Sequence, residues 1–354
     1  MSSLTLARGG KLSTDHMKSR PRILISEPIA EAGMEVLRAN ADCIEDWSDG
    51  DIAEMFRRSR AVLPEVDAVV VRLLSIGEEE MGIAPRLRVI AKHGVGLDNI
   101  DCDAATRRKI PVLWTPGANA NAVAEHAIGL MIALCRHFER GCHTIKNGLP
   151  FRRHDLQGIE VAGRTLGIVG LGNVGSLVAR KASLGLDMRV LAYDPYVTRE
   201  QRSYPVEFCD TLEELLGACD VVTLHVPLTD QTRRLINTRT LQLLRPEAYL
   251  INTSRGAVVD ENALVEALHQ QRLAGAALDV FEEEPLPVGH PVARAPATLL
   301  SPHVGGMTEE ALKRVSLRTA RNVLALLEGK ELESLEDLVN PESLAQGSPR
   351  DAGR

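Results

Sequence analysis

The sequence predicts an α/β protein built from two parallel-sheet blocks, and three observations carry that reading. From Arg22 onward, short apolar runs alternate with stretches of helical spacing, the pattern of a parallel sheet covered on both faces. A long apolar-faced stretch beginning at Asn119 interrupts the alternation, which then starts again as a second block. Inside that second block, the run Leu166–Val169 leads straight into Gly170-x-Gly172-x-x-Gly175 and then into the helical spacing of SLVARKASLGL. The 354 residues suffice for two domains with well-buried cores.

Taken in order, RILIS (22–26) reads as a strand, PIAEAGMEVLRAN as a helix and DCIEDW (42–47) as a short strand. DIAEMFRRSR follows as a helix, VDAVVVRLL (66–74) as a buried strand and LRVIAKH (87–93) as another. DCDAATRRK is a helix, and IPVLW (110–114) closes the first block as a strand. Residues 119–140, with an apolar face and no proline, are predicted as one long helix of the kind that bridges domains or subunits. In the second block VEFCD (206–210), DVVTLHVP (220–227), AYLINTS (248–254) and GAALDVF (275–281) read as strands, with ENALVEALHQ (261–270) a helix between two of them. A last helix is expected over roughly 308–328. Residues 1–20 are expected to be a disordered extension, with Met17 an alternative start, and 341–354 a flexible tail.

The glycine stretch has the order that a dinucleotide's pyrophosphate requires: strand, glycine turn, helix. Gly170 permits the tight turn, Gly172 lets the backbone approach the phosphates, and Gly175 lets helix and strand pack closely. The free N–H groups at the helix start then face the anion. The next predicted strand, RVLAY (189–193), ends at Asp194, where a carboxylate accepts from both hydroxyls of the adenine ribose. An acid there repels a 2′-phosphate, so NAD is expected over NADP, with Arg199 the nearby residue that softens the preference.

Composition excludes several classes of partner. A net charge of −7 gives no basis for binding nucleic acid or an anionic membrane, and no apolar run approaches a membrane span. The six cysteines form no CxxC and no Cys/His ligand spacing, so free thiols in a reducing cytoplasm are expected and no metal site is. Aromatic residues make up 3% of the chain, which leaves Val, Leu, Ile and Ala to build the cores.

Three patterns fall where second-block strands end, which is where open parallel sheets place ligands. They are Asn252-Thr253-Ser254-Arg255-Gly256, Asp279-Val280-Phe281-Glu282-Glu283-Glu284-Pro285 and Ser301-Pro302-His303-Val304-Gly305-Gly306. Singly they read as a surface arginine, an acidic loop and a histidine in a turn. Beside a dinucleotide fold they supply an anion binder, a carboxylate and a titratable acid, the parts needed to interconvert a 2-keto acid and a 2-hydroxy acid.

With KHGVGLDNID (92–101), VAEHAIGLMIALCR (123–136), GIVGLGNVG (167–175), HVPLTDQT (225–232), NTSRGAVVD (252–260), ALDVFEEEP (277–285) and SPHVGG (301–306), the chain resembles the D-isomer-specific 2-hydroxyacid dehydrogenase family, which includes 3-phosphoglycerate dehydrogenases and glyoxylate/hydroxypyruvate reductases. The resemblance spans roughly residues 22–340. It implies two Rossmann-like or flavodoxin-like domains with the active site in the cleft between them. Residues 21–118 with 301–340 would form the substrate domain, and 119–300 the NAD-binding domain. The family's catalytic Arg, Glu and His match Arg255, Glu284 and His303. His303 would protonate the carbonyl oxygen as hydride reaches C2, Glu284 would orient the imidazole, and Arg255 would hold the substrate carboxylate. Gly170, Gly172, Asn173, Val174, Gly175, Asp194, Pro227, Thr253 and Asp279 fall at cofactor positions, with Asp279 at the nicotinamide carboxamide or, equally, a structural carboxylate. Backbone N–H groups around Gly94, Val95 and Gly96 would take the other side of the carboxylate. The resemblance also implies a homodimer.

Phosphoglycerate dehydrogenases usually continue the third strand with Arg-Ser-x-Thr, whereas here the run is Arg72-Leu73-Leu74-Ser75. Arg72 keeps an anion contact, but the two leucines remove polar partners that a buried phosphate needs. The expected substrate is a small unphosphorylated 2-hydroxy or 2-keto acid, with D-3-phosphoglycerate the alternative. An NAD-sensing co-repressor shares this fold, and the complete Arg255, Glu284 and His303 set favours an enzyme.

Overall fold

The computed structural model describes residues 20–45, 47, 52–198 and 202–344. The expectations for residues 1–19, for Arg199 and for 345–354 lie outside the described residues. The first sheet holds β1 (Arg22–Ile25), β2 (Asp42–Glu45), β3 (Ala68–Val71), β4 (Val89–Lys92) and β5 (Val112–Leu113), all parallel, in the order β2-β1-β3-β4-β5. Helices α1 (Glu31–Asn40), α2 (Ile52–Val62), α3 (Glu78–Gly82) and α4 (Cys102–Arg107) connect them. Successive strand residues point to opposite faces, and both faces are covered. Leu24, Val69, Val71 and Ile90 belong to one buried cluster, and Ile23, Ile25, Val70 and Ala91 to another. That two-sided burial is why these strands read as unbroken apolar runs.

The long stretch predicted as a single helix is two. α5 (Ala120–Cys135) ends, His137 takes a left-handed conformation (φ 54°), and α6 (Phe138–Lys146) begins. A tertiary contact ends α5: the Cys135 carbonyl accepts from Ile159 N at 2.9 Å, and Gly158 lies so close that a Cβ there would be 2.4 Å from the same oxygen.

The second sheet contains β6 (Thr165–Val169), β7 (Arg189–Tyr193), β8 (Glu207–Phe208), β9 (Val221–Leu224), β10 (Tyr249–Asn252), β11 (Gly275–Leu278) and β12 (Thr298–Leu300). These too are all parallel, in the order β12-β11-β10-β9-β6-β7-β8. The order reverses direction beside β6, which opens a crevice at its carboxyl end. Helices α7 (Asn173–Gly185), α8 (Leu212–Ala218), α9 (Thr238–Leu241), α10 (Glu261–His269) and α11 (Pro291–Arg294) complete this block. The two-turn α8 and the four-residue α9 are too short to show an apolar period in sequence, and capping marks them instead: Thr211 accepts from Glu214 N, and Asn237 from Arg239 N and Thr240 N.

The last helix, α12 (Glu309–Glu328), returns to the first sheet, where Ala320, Val323, Leu324 and Leu327 join a cluster under β1, β3 and β4. Thr308 caps its start by accepting from Ala311 N, and Gly329 ends it at φ 73°. Residues 341–344, expected within a flexible tail, form a 3-10 turn with Ser343 buried. Asn340 anchors the turn by accepting from Val112 N at 2.8 Å, a bond to the sheet edge that polar composition does not reveal.

Candidate active site

At the end of β6 the three glycines do different work. Gly170 sits at φ 91°, and a Cβ there would come within 2.7 Å of the His225 carbonyl oxygen. A Cβ on Gly175 would lie 2.0 Å from the Gly170 oxygen, so only glycine lets α7 pack this close. A Cβ on Gly172 would meet nothing within 4 Å, leaving open ground beside the start of α7. Asp194, at the end of β7, accepts from Leu171 N at 2.7 Å and Tyr196 N at 2.9 Å, so its carboxylate reaches back to the turn.

The remaining cofactor candidates are placed unevenly. Asn173 begins α7 and faces Gly117 in the crossover between the blocks. The Val174 side chain packs against the buried cluster that includes Ile168, Val178 and Ala179. The Pro227 carbonyl accepts from Thr232 Oγ1 at 2.6 Å. Thr253 is buried and its hydroxyl has no partner, an orphaned polar atom at the carboxyl end of β10. The bare Gly172 surface, the uncapped start of α7 and the Thr253 hydroxyl fit a bound dinucleotide.

Asp279 serves within the protein. Its Oδ1 accepts from Ser301 Oγ at 2.6 Å and Val304 N at 3.0 Å, and its Oδ2 from Gly305 N at 2.8 Å. His126 Nε2 on α5 lies 3.2 Å from Oδ1. Burial raises the Asp279 pKa, but these donors outweigh it and hold the carboxyl below its ordinary value. Through these bonds Asp279 fixes the loop that carries His303.

His303 is in the left-handed region at φ 52°, held there by its N–H bond to the Asp279 carbonyl at 2.7 Å. Its Nδ1 lies 2.6 Å from Glu284 Oε2, and Glu284 Oε1 accepts from Phe281 N at 3.0 Å. Burial raises the Glu284 pKa, yet the hydrogen bonds from His303 and Phe281 and the Arg255 charge bring it below its usual value. Glu284 is therefore an anion at neutral pH. With Nδ1 engaged, the half-exposed ring has Nε2 left for substrate.

Arg255 leaves the end of β10 and crosses to the first block. Its Nε donates to Asp98 Oδ2 at 2.8 Å and its Nη1 to the Ser254 carbonyl at 2.7 Å. Nη2 rests over Gly96, where a Cβ would be 1.9 Å away. Gly96 thus supplies a notch for the guanidinium in addition to any N–H it offers. Gly94, at φ 144°, accepts from Thr115 N at 3.1 Å, and Val95 links the two glycines on this loop.

Beneath the loop, Lys92 Nζ donates to the Arg72 carbonyl at 2.6 Å and to Asn99 Oδ1 at 2.5 Å. Burial first, and then the Arg255 charge, lower its pKa to about 8. Arg72 is partly buried, with Nη2 3.0 Å from Met307 Sδ, and burial lowers its pKa as well. Leu73 is 59% exposed beside it, an apolar wall. Glu27, buried under this loop, accepts from Arg72 N at 2.9 Å, Leu73 N at 2.6 Å and Leu74 N at 2.8 Å. Those three bonds are why β3 stops at Val71 although the apolar run continues.

Sequence reasoning did not single out Glu27, Lys92, Asp98, Asn99 or His126. Lys92, Asp98 and Asn99 lie within the stretch KHGVGLDNID, so their signal was present; Glu27 follows a strand with nothing local to mark it. Among the described residues, no group of three His, Cys, Asp or Glu side chains is arranged to hold a metal, and no helix is long and apolar enough to cross a membrane.

Comparison with known proteins agrees with this architecture. The model of the D-isomer specific 2-hydroxyacid dehydrogenase NAD-binding domain matches residues 128–305. A glyoxylate reductase of Thermofilum pendens is 39% identical, over 92% of this chain and 96% of its own. A D-3-phosphoglycerate dehydrogenase of Archaeoglobus fulgidus is 35% identical over 90% of this chain, which spans only 59% of that longer protein. A solved structure from Thermus thermophilus superposes with a TM-score of 0.79 at 35% identity, covering 90% of this chain and 99% of its own. The chain belongs to the D-isomer specific 2-hydroxyacid dehydrogenases, and its second block contains the family's NAD-binding domain.

Proposed function

We propose that this protein reduces a small, unphosphorylated 2-keto acid to the D-2-hydroxy acid, with NADH as donor. The observation that carries the reading is the 2.6 Å contact between His303 Nδ1 and the Glu284 carboxylate, which also feels the Arg255 charge. Bound NADH supplies the hydride. His303 gives a proton to the carbonyl oxygen, a step typically worth about 10²–10⁴ in rate. Glu284 fixes the ring and balances the charge of the protonated imidazole. Arg255 holds the substrate carboxylate through its fork, which Lys cannot copy. The loop around Gly94, Val95 and Gly96 closes the other side. Gly172, Asn173, Val174 and Thr253 would hold the dinucleotide, and Asp194 would accept from the ribose hydroxyls.

Leu73, exposed beside Arg72, supports an unphosphorylated substrate, since it offers no donor to a phosphate. The second reading, D-3-phosphoglycerate oxidation, draws on the cations Arg72 and Lys92 nearby and on the 35% identical relative of that name. A panel of glyoxylate, hydroxypyruvate, pyruvate and phosphohydroxypyruvate, each with NADH and NADPH, decides between them. Turnover of phosphohydroxypyruvate alone would overturn the first reading, and no turnover of any would remove both.

A homodimer is part of the same proposal. Phe138 (58% exposed), Ile145 (68%), Leu149 and Phe151 present an apolar surface along and just after α6, as an interface between copies would. We infer a reducing cytoplasmic setting, supported by six cysteines that are all free thiols.

A further inference from the structure

We propose that Asp98 is the positioning residue for Arg255, setting the direction in which the guanidinium meets the substrate. The inference rests on the proposed role of Arg255 as carboxylate binder and specifies how that role is achieved. Three contacts fix the guanidinium: Nε on Asp98 at 2.8 Å, Nη1 on the Ser254 carbonyl at 2.7 Å, and Nη2 over the side-chain-free Gly96. Ser254 adjoins Arg255 on the same strand end and turns with it. Asp98 and Gly96 belong to the first block, 157 positions away from Arg255 in the case of Asp98. Among the described residues, these two register the fork against the loop of the first block.

With Nε's single hydrogen taken by Asp98, what is left for a substrate carboxylate is Nη2 together with the one Nη1 hydrogen that Ser254 does not take. The alternative bidentate edge, Nε with Nη2, is closed. A guanidinium offers either edge when free, so Asp98 selects one binding direction and hence one orientation of C2 toward the hydride and His303. The pair also crosses between the blocks, so the fork is set only while they are juxtaposed as here. Asp98 is half-exposed, and its carboxyl is held below its ordinary pKa: burial raises it, but the charge and hydrogen bond of Arg255 outweigh that. It is an anion wherever the enzyme would work. Lys92 under the same loop is itself a donor, to the Arg72 carbonyl and Asn99 Oδ1, and offers Nε no acceptor in place of Asp98.

Loss of Asp98 should therefore leave binding and spoil alignment. A loosened guanidinium still attracts a carboxylate, so KM changes little, whereas a small misplacement of C2 lowers kcat steeply. The test is a double-mutant cycle on the full-length holoenzyme with glyoxylate and hydroxypyruvate. Asp98→Ala should lower kcat about 10- to 100-fold, with KM within about threefold and the NADH dissociation constant unchanged. Asp98→Asn keeps an acceptor for Nε and should retain an intermediate kcat, which also covers the event that the alanine variant folds poorly. In an Arg255→Lys background there is no Nε to orient, so Asp98→Ala should cost less than about twofold further. Equal losses in both backgrounds, or a loss confined to KM, would overturn the positioning role while leaving the reductase reading intact. A wild-type enzyme inactive on every 2-keto acid would overturn the reading and the positioning role together.

Discussion

His303 Nδ1 and Glu284 Oε2 lie 2.6 Å apart, brought together from loops after two neighbouring strands, β12 and β11. Each loop is separately pinned: Asp279 holds the one carrying His303, and the Phe281 N–H holds Glu284. The ring is thus oriented before substrate arrives. His303→Ala should lower kcat by about 10²–10⁴ with NADH affinity largely kept. Glu284→Gln keeps the shape but removes the anion, and a smaller loss, roughly 10- to 100-fold, is expected. Single-turnover NADH oxidation reads both, and near-normal turnover of the alanine variant would remove His303 from its role.

On the proposed function Asp194 has two duties, one in the glycine turn and one toward the cofactor. The carboxylate supports the glycine turn through Leu171 N and stands where an adenine ribose would bind. Asp194→Ala should raise the KM for NADH and narrow the NADH-over-NADPH ratio in kcat/KM by about tenfold or more, the value of one or two charged hydrogen bonds. An unchanged ratio would mean that the ribose is read elsewhere.

These two sites differ in how far the sequence revealed them. Strand alternation and the glycine turn are local patterns, so both sheets, β6, α7 and Asp194 were legible. The Arg255, Glu284 and His303 set was legible as motifs, although only the folded chain brings Glu284 to His303 and Arg255 to Asp98. What escaped depends on partners far away in sequence. Nothing near Cys135 announces that Ile159 will take its carbonyl and end α5. Nothing near Glu27 announces that its carboxylate will collect three N–H groups from residues 72–74. Such bonds override propensity because a buried polar group must be satisfied wherever its partner lies.

Acid should destabilise the fold through two histidines, the buried His93 and the partly buried His225. His93, whose Nε2 lies 2.7 Å from Ser316 Oγ, and His225, 3.0 Å from Thr223 Oγ1, both have pKa values lowered by burial from 6.5 to about 3. Between those values the unfolded chain binds protons that the native state refuses, so stability falls as pH drops from 6.5 toward 3. Urea melts from about pH 7 down to about 4.5 should show this decline. Replacing His225 with Asn should flatten it, and an identical slope would show that the histidine makes no contribution.

The buried Glu27 carboxylate fixes the loop that the proposed function places beside the substrate. It binds three consecutive N–H groups at the end of β3 and so fixes the backbone that carries Arg72 and Leu73. Glu27→Gln replaces one acceptor oxygen with an NH₂ group facing donors, leaving at least one buried N–H unsatisfied at about 1–3 kcal/mol each. Thermal unfolding should move down by several degrees. On the proposed function, KM for the keto acid should rise more than kcat falls, because the residues displaced would hold substrate and move no protons. Glu27→Ala should do the same more severely. If the glutamine variant melts at a lower temperature with KM unchanged, Glu27 supports the sheet alone, and the Arg72–Leu74 loop is held for substrate by something other than this carboxylate.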